Sequence, residues 1–395
     1  MTVVSLLRCD EYNHLAIKDK ILRGFSHIGM DPSMLNGQRV VIKPNLLSAT
    51  PVEKAVVTHP EVFRAVVQIV KEHGGIPVMV ESPAFQPLNK VMKKTGYDRI
   101  VTEEGCEVAD TKETSVLYHS RGGKYRRFEL ASALFDADIV FNLPKFKTHS
   151  ITYITGAVKN LFGFIHGLNK SQFHIKARTK DEFAGFLLDL YSALLNAFER
   201  PKRYIHIMDA IIGMEGEGPA SAGDPKKIGA LLISEDAVAV DSIAVSLVGL
   251  DKSRVKTITF GDQRGLGAAS LQKIELRGSS LDDFHIADFV PTRSTLSSPL
   301  ERWPVNTNLF KTIFVEKPVP SEKRCTLCYQ CKTLCPAGAI DDSDGKRGVP
   351  LYDYGKCIRC YCCMEICPEA AVSLKKGRLQ WLIYRNTIKI GDNVL

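Results

Sequence analysis

Eight of the eleven cysteines fall between positions 325 and 367, and their spacing repeats. Cys325, Cys328, Cys331 and Cys335 run into Pro336, and Cys357, Cys360, Cys363 and Cys367 run into Pro368. Each copy reads C-x2-C-x2-C-x3-C-P, a spacing that suits [4Fe-4S] cubanes. Three thiolates on one tight loop ligate three irons of a cube, and the fourth cysteine, past a turn, reaches the other cube. The spacing therefore assigns Cys325, Cys328, Cys331 and Cys367 to one cluster and Cys357, Cys360, Cys363 and Cys335 to a second. Zinc also binds four-cysteine sites, but it explains neither the third cysteine of each run nor the C-P endings. Disulfides fit poorly, because the first residues show no basic leader and no small-residue cleavage site. Cys362 is extra and reads as a bystander thiol, while Cys9 and Cys106 read as structural.

A second set of chemistry-bearing residues follows apolar runs of strand length. Lys43 and Asn45 close one run, and Glu81 closes another. The segment Lys145, Phe146, Lys147, Thr148, His149 follows a third and reads as a basic loop. Glu215 and Glu217 stand among Gly213, Gly216 and Gly218 beyond a fourth. In an open parallel sheet, loops at the carboxyl ends of the strands converge on one crevice. Such a crevice would hold an anion on Lys43, Lys145 and Lys147, with Asn45 and Glu81 beside it and His149 as a proton donor. The acidic glycine loop is ill suited to phosphate and better suited to a divalent metal or a hydroxyl-bearing ligand.

The elements that must position these residues alternate. Strands are expected at 3–8, 39–43, 76–81, 138–142, 204–208, 228–234 and 273–277, and helices at 60–73, 181–198 and 237–250. Val62, Ala65, Val66, Ile69 and Val70 recur on one helical face. This predicts an α/β fold, a mostly parallel sheet with helices on both faces, plus a small C-terminal two-cluster ferredoxin-like α+β domain. The expected units are an α/β domain over 1–290, a proline-rich linker over 291–320, a cluster domain over 321–374 and an apolar tail over 375–395 that packs back.

Composition narrows the class further. The chain has 395 residues, 45% of them hydrophobic and 24% charged, which is ordinary for a globular protein. Its most apolar stretch, 237–250, is interrupted by Asp241 and is too short to span a bilayer, so no membrane insertion and a cytoplasmic location are expected. The formal charge of +8 falls to about +4 when two clusters of about 2− each are loaded. Residues 321–395 hold 12 Lys and Arg against 8 Asp and Glu, so that segment becomes about neutral. Such a surface suits an acidic ferredoxin as redox partner. Nucleic acid is disfavoured, since Arg121, Lys124, Arg126 and Arg127 flank Gly122 and Gly123 as in a solvated turn. Gly265 and Gly267 alone make no nucleotide fingerprint.

VIKPNLL at 41–47, THPEV at 58–62, NLPKFKTHS at 142–150, TGAVKNLFG at 155–163 and GMEGEGP at 213–219 occur in order. Over about residues 1–290 the chain resembles the family called domain of unknown function 362, whose members are often fused to a two-cluster ferredoxin domain. The resemblance implies domain boundaries and no particular reaction. Three functions are therefore in play. One is an enzyme that reduces a small, anionic substrate in the crevice with electrons from the clusters. The second is an electron carrier whose large domain docks a partner or senses a ligand. The third is a non-catalytic maturation or regulatory factor.

Overall fold

Arg39–Pro44 and Ile139–Leu143 contain the uninterrupted apolar runs 40–42 and 139–141, so both of their faces must be covered. In the computed structural model they lie side by side at the middle of the main sheet. The structure describes residues 1–83, 86–177, 179–220, 222–292 and 316–375. In chain order the strands are β1 (Thr2–Arg8), β2 (Arg39–Pro44), β3 (Ile76–Met79), β4 (Glu107–Val108), β5 (Thr114–Tyr118), β6 (Arg127–Ala131), β7 (Ile139–Leu143), β8 (Lys145–His149), β9 (Tyr153–Thr155), β10 (Arg203–Gly216), β11 (Gly223–Ser234) and β12 (Ile274–Gly278). The sheet runs β12-β1-β11-β10-β7-β2-β3-β4, with β8 beside β10 and β9 beside β8. Strands β10, β7, β2, β3 and β4 are mutually parallel, while β11 is antiparallel to both β1 and β10.

Helices cover both faces. On one side α1 (His14–His27) and α2 (Pro60–Glu72) bury Ile17, Ile21, Phe25, Val62, Val66 and Ile69 against Ile42, Phe141 and Ile207. On the other, α7 (Lys180–Asn196) and α8 (Ala237–Leu247) bury Phe186, Leu190, Val240 and Ile243 with Val41, Val140 and Met208. Between these lie α3 (Leu88–Thr95), α4 (Tyr97–Glu104), α5 (Ala157–Asn160) and α6 (Gly167–Lys176). Their starts are set locally. The Thr179 side chain accepts from Glu182 N, and Asp236 accepts from Ala239 N, each satisfying an orphan donor of the first turn. Gly24 of α1 lets the helix press onto the sheet, because a Cβ there would collide with Ile233 Cδ1. The predicted α/β class is the observed one.

Four local expectations are corrected. The basic loop is strand β8, and Lys145, Lys147 and His149 are each about 1% exposed. The glycine loop is in its first half strand: β10 continues to Gly216, where Glu215 faces Asp224 of β11 across the ladder. The strand expected at 76–81 stops at Met79, and the helix expected to reach 250 stops at Leu247.

The cysteine-rich region holds two small ribbons. β13 (Lys317–Pro320) pairs antiparallel with β16 (Val372–Lys375), and β14 (Ile340–Asp341) with β15 (Leu351–Tyr352). The end of the expected linker, 317–320, is thus a strand of the cluster region. The rest of that linker from 293 to 315, and the expected tail from 376 on, lie outside the described residues. Ile340, Tyr361, Met364 and Val372 form a small core against which Ile151 of the α/β part also packs.

Candidate functional site

The two cysteine runs adopt the same unusual backbone. Leu327 and Tyr329 flank Cys328 with φ of 57° and 52°, and Arg359 and Tyr361 flank Cys360 with φ of 60° and 58°. Side chains other than glycine rarely take this left-handed conformation, and four occurrences at matched positions need a common cause. Such turns aim successive backbone N–H groups into a concavity, which favours an anion. After each fourth cysteine the match continues: Ala339 N donates to Cys335 Sγ at 3.2 Å, and Ala371 N donates to Cys367 Sγ at 3.1 Å. These bonds favour thiolate over thiol.

The eight thiols fall into two groups. Cys325, Cys328, Cys331 and Cys367 line one small cavity with Pro320, Tyr329 and Val372. Cys335 lies among the second set: burial raises its thiol pKa, and Cys360 and Cys357 raise it further. Burial likewise raises that of Cys363, again with Cys360 and Cys357 adding. Each run therefore sends its last cysteine across to the other run's group. Concentrated thiols, inward N–H groups and a largely apolar surround fit an iron-sulfur cluster carried as a dianion.

The short helix Cys362–Ile366 extends from the second run onto the α/β part. Its residues Cys362 and Glu365 form one wall of a cavity of about 80 Å³. The opposite walls carry Lys43, Asn45, Glu81, Ser82, His149, Thr155, Lys159, Lys170, Phe162 and Phe183. Lys43 and Glu81 leave the carboxyl ends of the parallel neighbours β2 and β3, the place where open α/β sheets bind ligands. Lys43 Nζ donates to Glu81 Oε2 at 2.7 Å and to Pro44 O at 2.7 Å. Glu81 also accepts from Leu46 N at 3.0 Å and Ser82 N at 2.8 Å. Burial lowers the pKa of Lys43, while Glu81 opposes the shift.

His149 stands at the meeting of the two parts. Its Nδ1 accepts from Ile151 N at 3.0 Å, which places the ring proton on Nε2, and Nε2 lies 3.3 Å from Glu365 Oε1. Burial raises the Glu365 pKa against the pull of Lys159 and Lys147. Lys159 lines the cavity; burial lowers its pKa, with Glu365 opposing. Lys170 donates to Ser82 O, lies 5.8 Å over the Phe162 ring, and is brought by burial down to about 7.

Behind the cavity a directional chain of amides locks its rear wall. Lys147 Nζ donates to Asn45 Oδ1 at 2.7 Å, Asn45 Nδ2 to Asn160 Oδ1 at 3.0 Å, and Asn160 Nδ2 to Asn142 Oδ1 at 2.8 Å. Asn142 Nδ2 ends the run at His206 Nδ1, 2.9 Å away. Each amide gives and receives in one sense, so the orientations are mutually determined. Lys147 also donates to Val56 O at 2.6 Å, and burial holds its pKa well below the ordinary lysine value.

Of the residues singled out in the sequence, Lys43, Asn45, Glu81 and His149 meet in this cavity. Lys147 stands behind it. Lys145 belongs to a separate buried group, where its Nζ donates to Asp209 Oδ2 and to Tyr12 Oη, both at 2.8 Å. Glu215 accepts from Val290 N at 2.9 Å, and Glu217 accepts from Thr292 Oγ1 at 3.4 Å; neither lines the cavity. Their expected place in the crevice is overturned because β10 carries Glu215 along the β11 ribbon and ends at Gly216, just before Glu217, instead of turning into the cavity. Sequence reading missed Lys159, Lys170, Thr155, Cys362 and Glu365. The first and third stand in the TGAVKNLFG stretch at 155–163, one of the motifs that carry the family resemblance. Nothing local marks Glu365, whose role depends on where the cluster region docks.

An α/β sheet bearing a ferredoxin-type cluster region defines an iron-sulfur, electron-transfer class of protein. The model of the family described as Domain of unknown function (DUF362) matches residues 40–246, and that of the 4Fe-4S dicluster domain matches 324–372. The chain belongs to the DUF362 family. It is 31% identical over 271 residues to the thylakoid-associated protein sll1697 of Synechocystis sp., an overlap of 68% of this chain and 81% of that one. Among solved structures, a Thermotoga maritima protein aligns at 13% identity with a TM-score of 0.40, covering 58% of this chain and 57% of that one. The lactate racemase apoprotein from Thermoanaerobacterium thermosaccharolyticum aligns at 14% identity with a TM-score of 0.37, covering 60% and 55%. The chain therefore spans less than two thirds of either solved structure. Among the described residues no helix is long and apolar enough to cross a membrane.

Proposed function

We propose that this protein is a ferredoxin-type oxidoreductase that reduces a small substrate in the cavity between its α/β sheet and its cluster region. One observation carries the reading: the helix bearing Cys363, a ligand in the proposed second cluster, also supplies Cys362 and Glu365 to the cavity wall. Two [4Fe-4S] clusters, held by Cys325, Cys328, Cys331 and Cys367 and by Cys357, Cys360, Cys363 and Cys335, would supply electrons one at a time. The protein's own residues do the rest. Lys43 and Glu81, each fixed by the other and by backbone, shape the floor. His149 presents its Nε2 proton on the cavity side with its tautomer set by Ile151 N, a geometry suited to protonating a reduced product. Phe162 and Phe183 keep water from the apolar end.

At the other end Cys328 is exposed, with exposed Lys323 and Arg324 nearby in the chain. This face suits an acidic ferredoxin as donor, since opposite charge speeds encounter. A cytoplasmic location fits such a donor, and the thylakoid association of the relative marks a membrane surface as the alternative place of encounter. To test the reading, dithionite-reduced protein is incubated anaerobically with a small-molecule extract, which is then compared by mass spectrometry with an untreated one. The expected outcome is a compound that gains two hydrogens in step with cluster oxidation. An unchanged extract beside clusters that stay reduced would contradict it.

A further inference from the structure

The charges around the cavity do not cancel. Three lysines, Lys43, Lys159 and Lys170, face two glutamates, Glu81 and Glu365. Lys43 and Glu81 are committed to each other at 2.7 Å. Glu365 is shared between His149 at 3.3 Å and the field of Lys159. Lys170 is left without an ion pair to any carboxylate among the described residues; its one hydrogen-bond acceptor there is Ser82 O. A second polar group is also short of a partner. Thr155, about 3% exposed and on the same cavity wall, has a buried hydroxyl with no hydrogen-bond partner among the described residues. Burying such groups is costly unless something completes them.

We infer that Lys170 and Thr155 form a binding site for the carboxylate of a small organic monoacid, whose carbon end lies against Phe162 and Phe183. This rests on the reading of the cavity as a substrate site and names the class of substrate. The surplus is one positive charge, which a carboxylate neutralises and a phosphate dianion would overshoot. A carboxylate offers acceptors to an ammonium N–H and a hydroxyl at once, whereas a carboxamide carries no charge for Lys170. At about 80 Å³ the space takes a few carbons, and the aromatic walls favour carbons over further polar groups. Burial, helped by Lys43 and Lys159 and opposed by Glu81, brings the Lys170 pKa down to about 7; an anion beside it favours the charged form, so ligand and proton bind together.

The test is titration calorimetry of the full-length, cluster-loaded, oxidised protein with propionate, propionamide and inorganic phosphate. Propionate is expected to bind, and the other two are not. Lys170→Gln and the near-isosteric Thr155→Val should each weaken propionate binding about tenfold or more while iron content is unchanged. Tighter binding of phosphate, equal binding of propionamide, no binding of propionate, or full affinity in a folded Thr155→Val variant would each overturn the site. The calorimetry uses no electrons, so it separates the two readings. Propionate binding that leaves the resonance spectrum of the reduced clusters unmoved would remove electron delivery to the cavity and keep the carboxylate site. Cluster oxidation by a neutral compound alone would do the reverse.

Discussion

Replacing Lys145 by methionine leaves the Asp209 carboxylate inside the protein with Tyr12 Oη and backbone N–H groups as its remaining donors. Loss of one partner from such a pair costs about 3–5 kcal/mol, against at most about 1 kcal/mol for an exposed one. Urea unfolding of Lys145→Met should therefore show a large drop, and a change under about 1 kcal/mol would contradict the buried pairing. The same burial overturns the expectation that Lys147 stands in a basic loop. Two buried imidazoles add an acid dependence. Burial lowers His206 to about 3 and His59 to about 4. Between those values and the ordinary histidine range the unfolded chain binds more protons than the folded one, so stability is lost as pH falls through that window. For His206 this amounts to about 2 kcal/mol between about pH 7 and about pH 5. Asp241, raised by burial to about 7, acts with the opposite sign over the same range. The clean measurement is thus a difference: His206→Gln should lose about 2 kcal/mol less than the parent between the two pH values. Equal losses would mean that the ring is not held neutral.

At the scale of elements, the turn at Leu161–Phe164 sets how closely the cavity wall approaches β2. A Cβ on Gly163 would collide with Lys43 Cε and Nζ, so Gly163→Ala should displace the Lys43–Glu81 pair and cost about 1–3 kcal/mol. A crystal structure of that variant with the pair unmoved would contradict the packing described. The crossed cysteines give a second test: Cys335→Ser should damage the cluster bound by Cys357, Cys360 and Cys363, and loss of the other cluster alone would refute the exchange of ligands. The central strands and α2, α7 and α8 were legible because their apolar periods report their own burial. Strand β8 was not, since Lys-Phe-Lys-Thr-His alternates polar and apolar like a surface segment. Its polar face is buried only because Asp209, Asn45 and Glu365 arrive from elsewhere in the chain. The glycines at 213 and 216 suggest a turn, but cross-strand pairing with β11 keeps β10 extended through Gly213, and the backbone leaves the extended region only at Gly216, with a φ of 72°. The cysteine runs were fully legible because their chemistry depends on local spacing. Glu365 was not, because its partners are set by docking.

At the scale of the molecule, the two large hydrophobic clusters of the α/β part draw, among the described residues, on positions up to Phe289. A chain ending at residue 292 should therefore fold and melt cooperatively, yet lose the Cys362 and Glu365 wall that closes the cavity and so bind propionate more weakly. Aggregation of several such truncations would show that the cluster region completes the core. The central claim, that electrons leave the clusters into this cavity, is tested most directly by anaerobic stopped-flow. Reduced protein is mixed separately with the small-molecule and the protein fractions of a cell extract, and cluster oxidation is followed by visible absorbance. The small-molecule fraction should oxidise the clusters, and Lys170→Gln and Gly163→Ala should slow that oxidation about tenfold or more with iron content unchanged. Oxidation by the protein fraction alone, at the same rate in both variants, would contradict the account and make the protein an electron carrier.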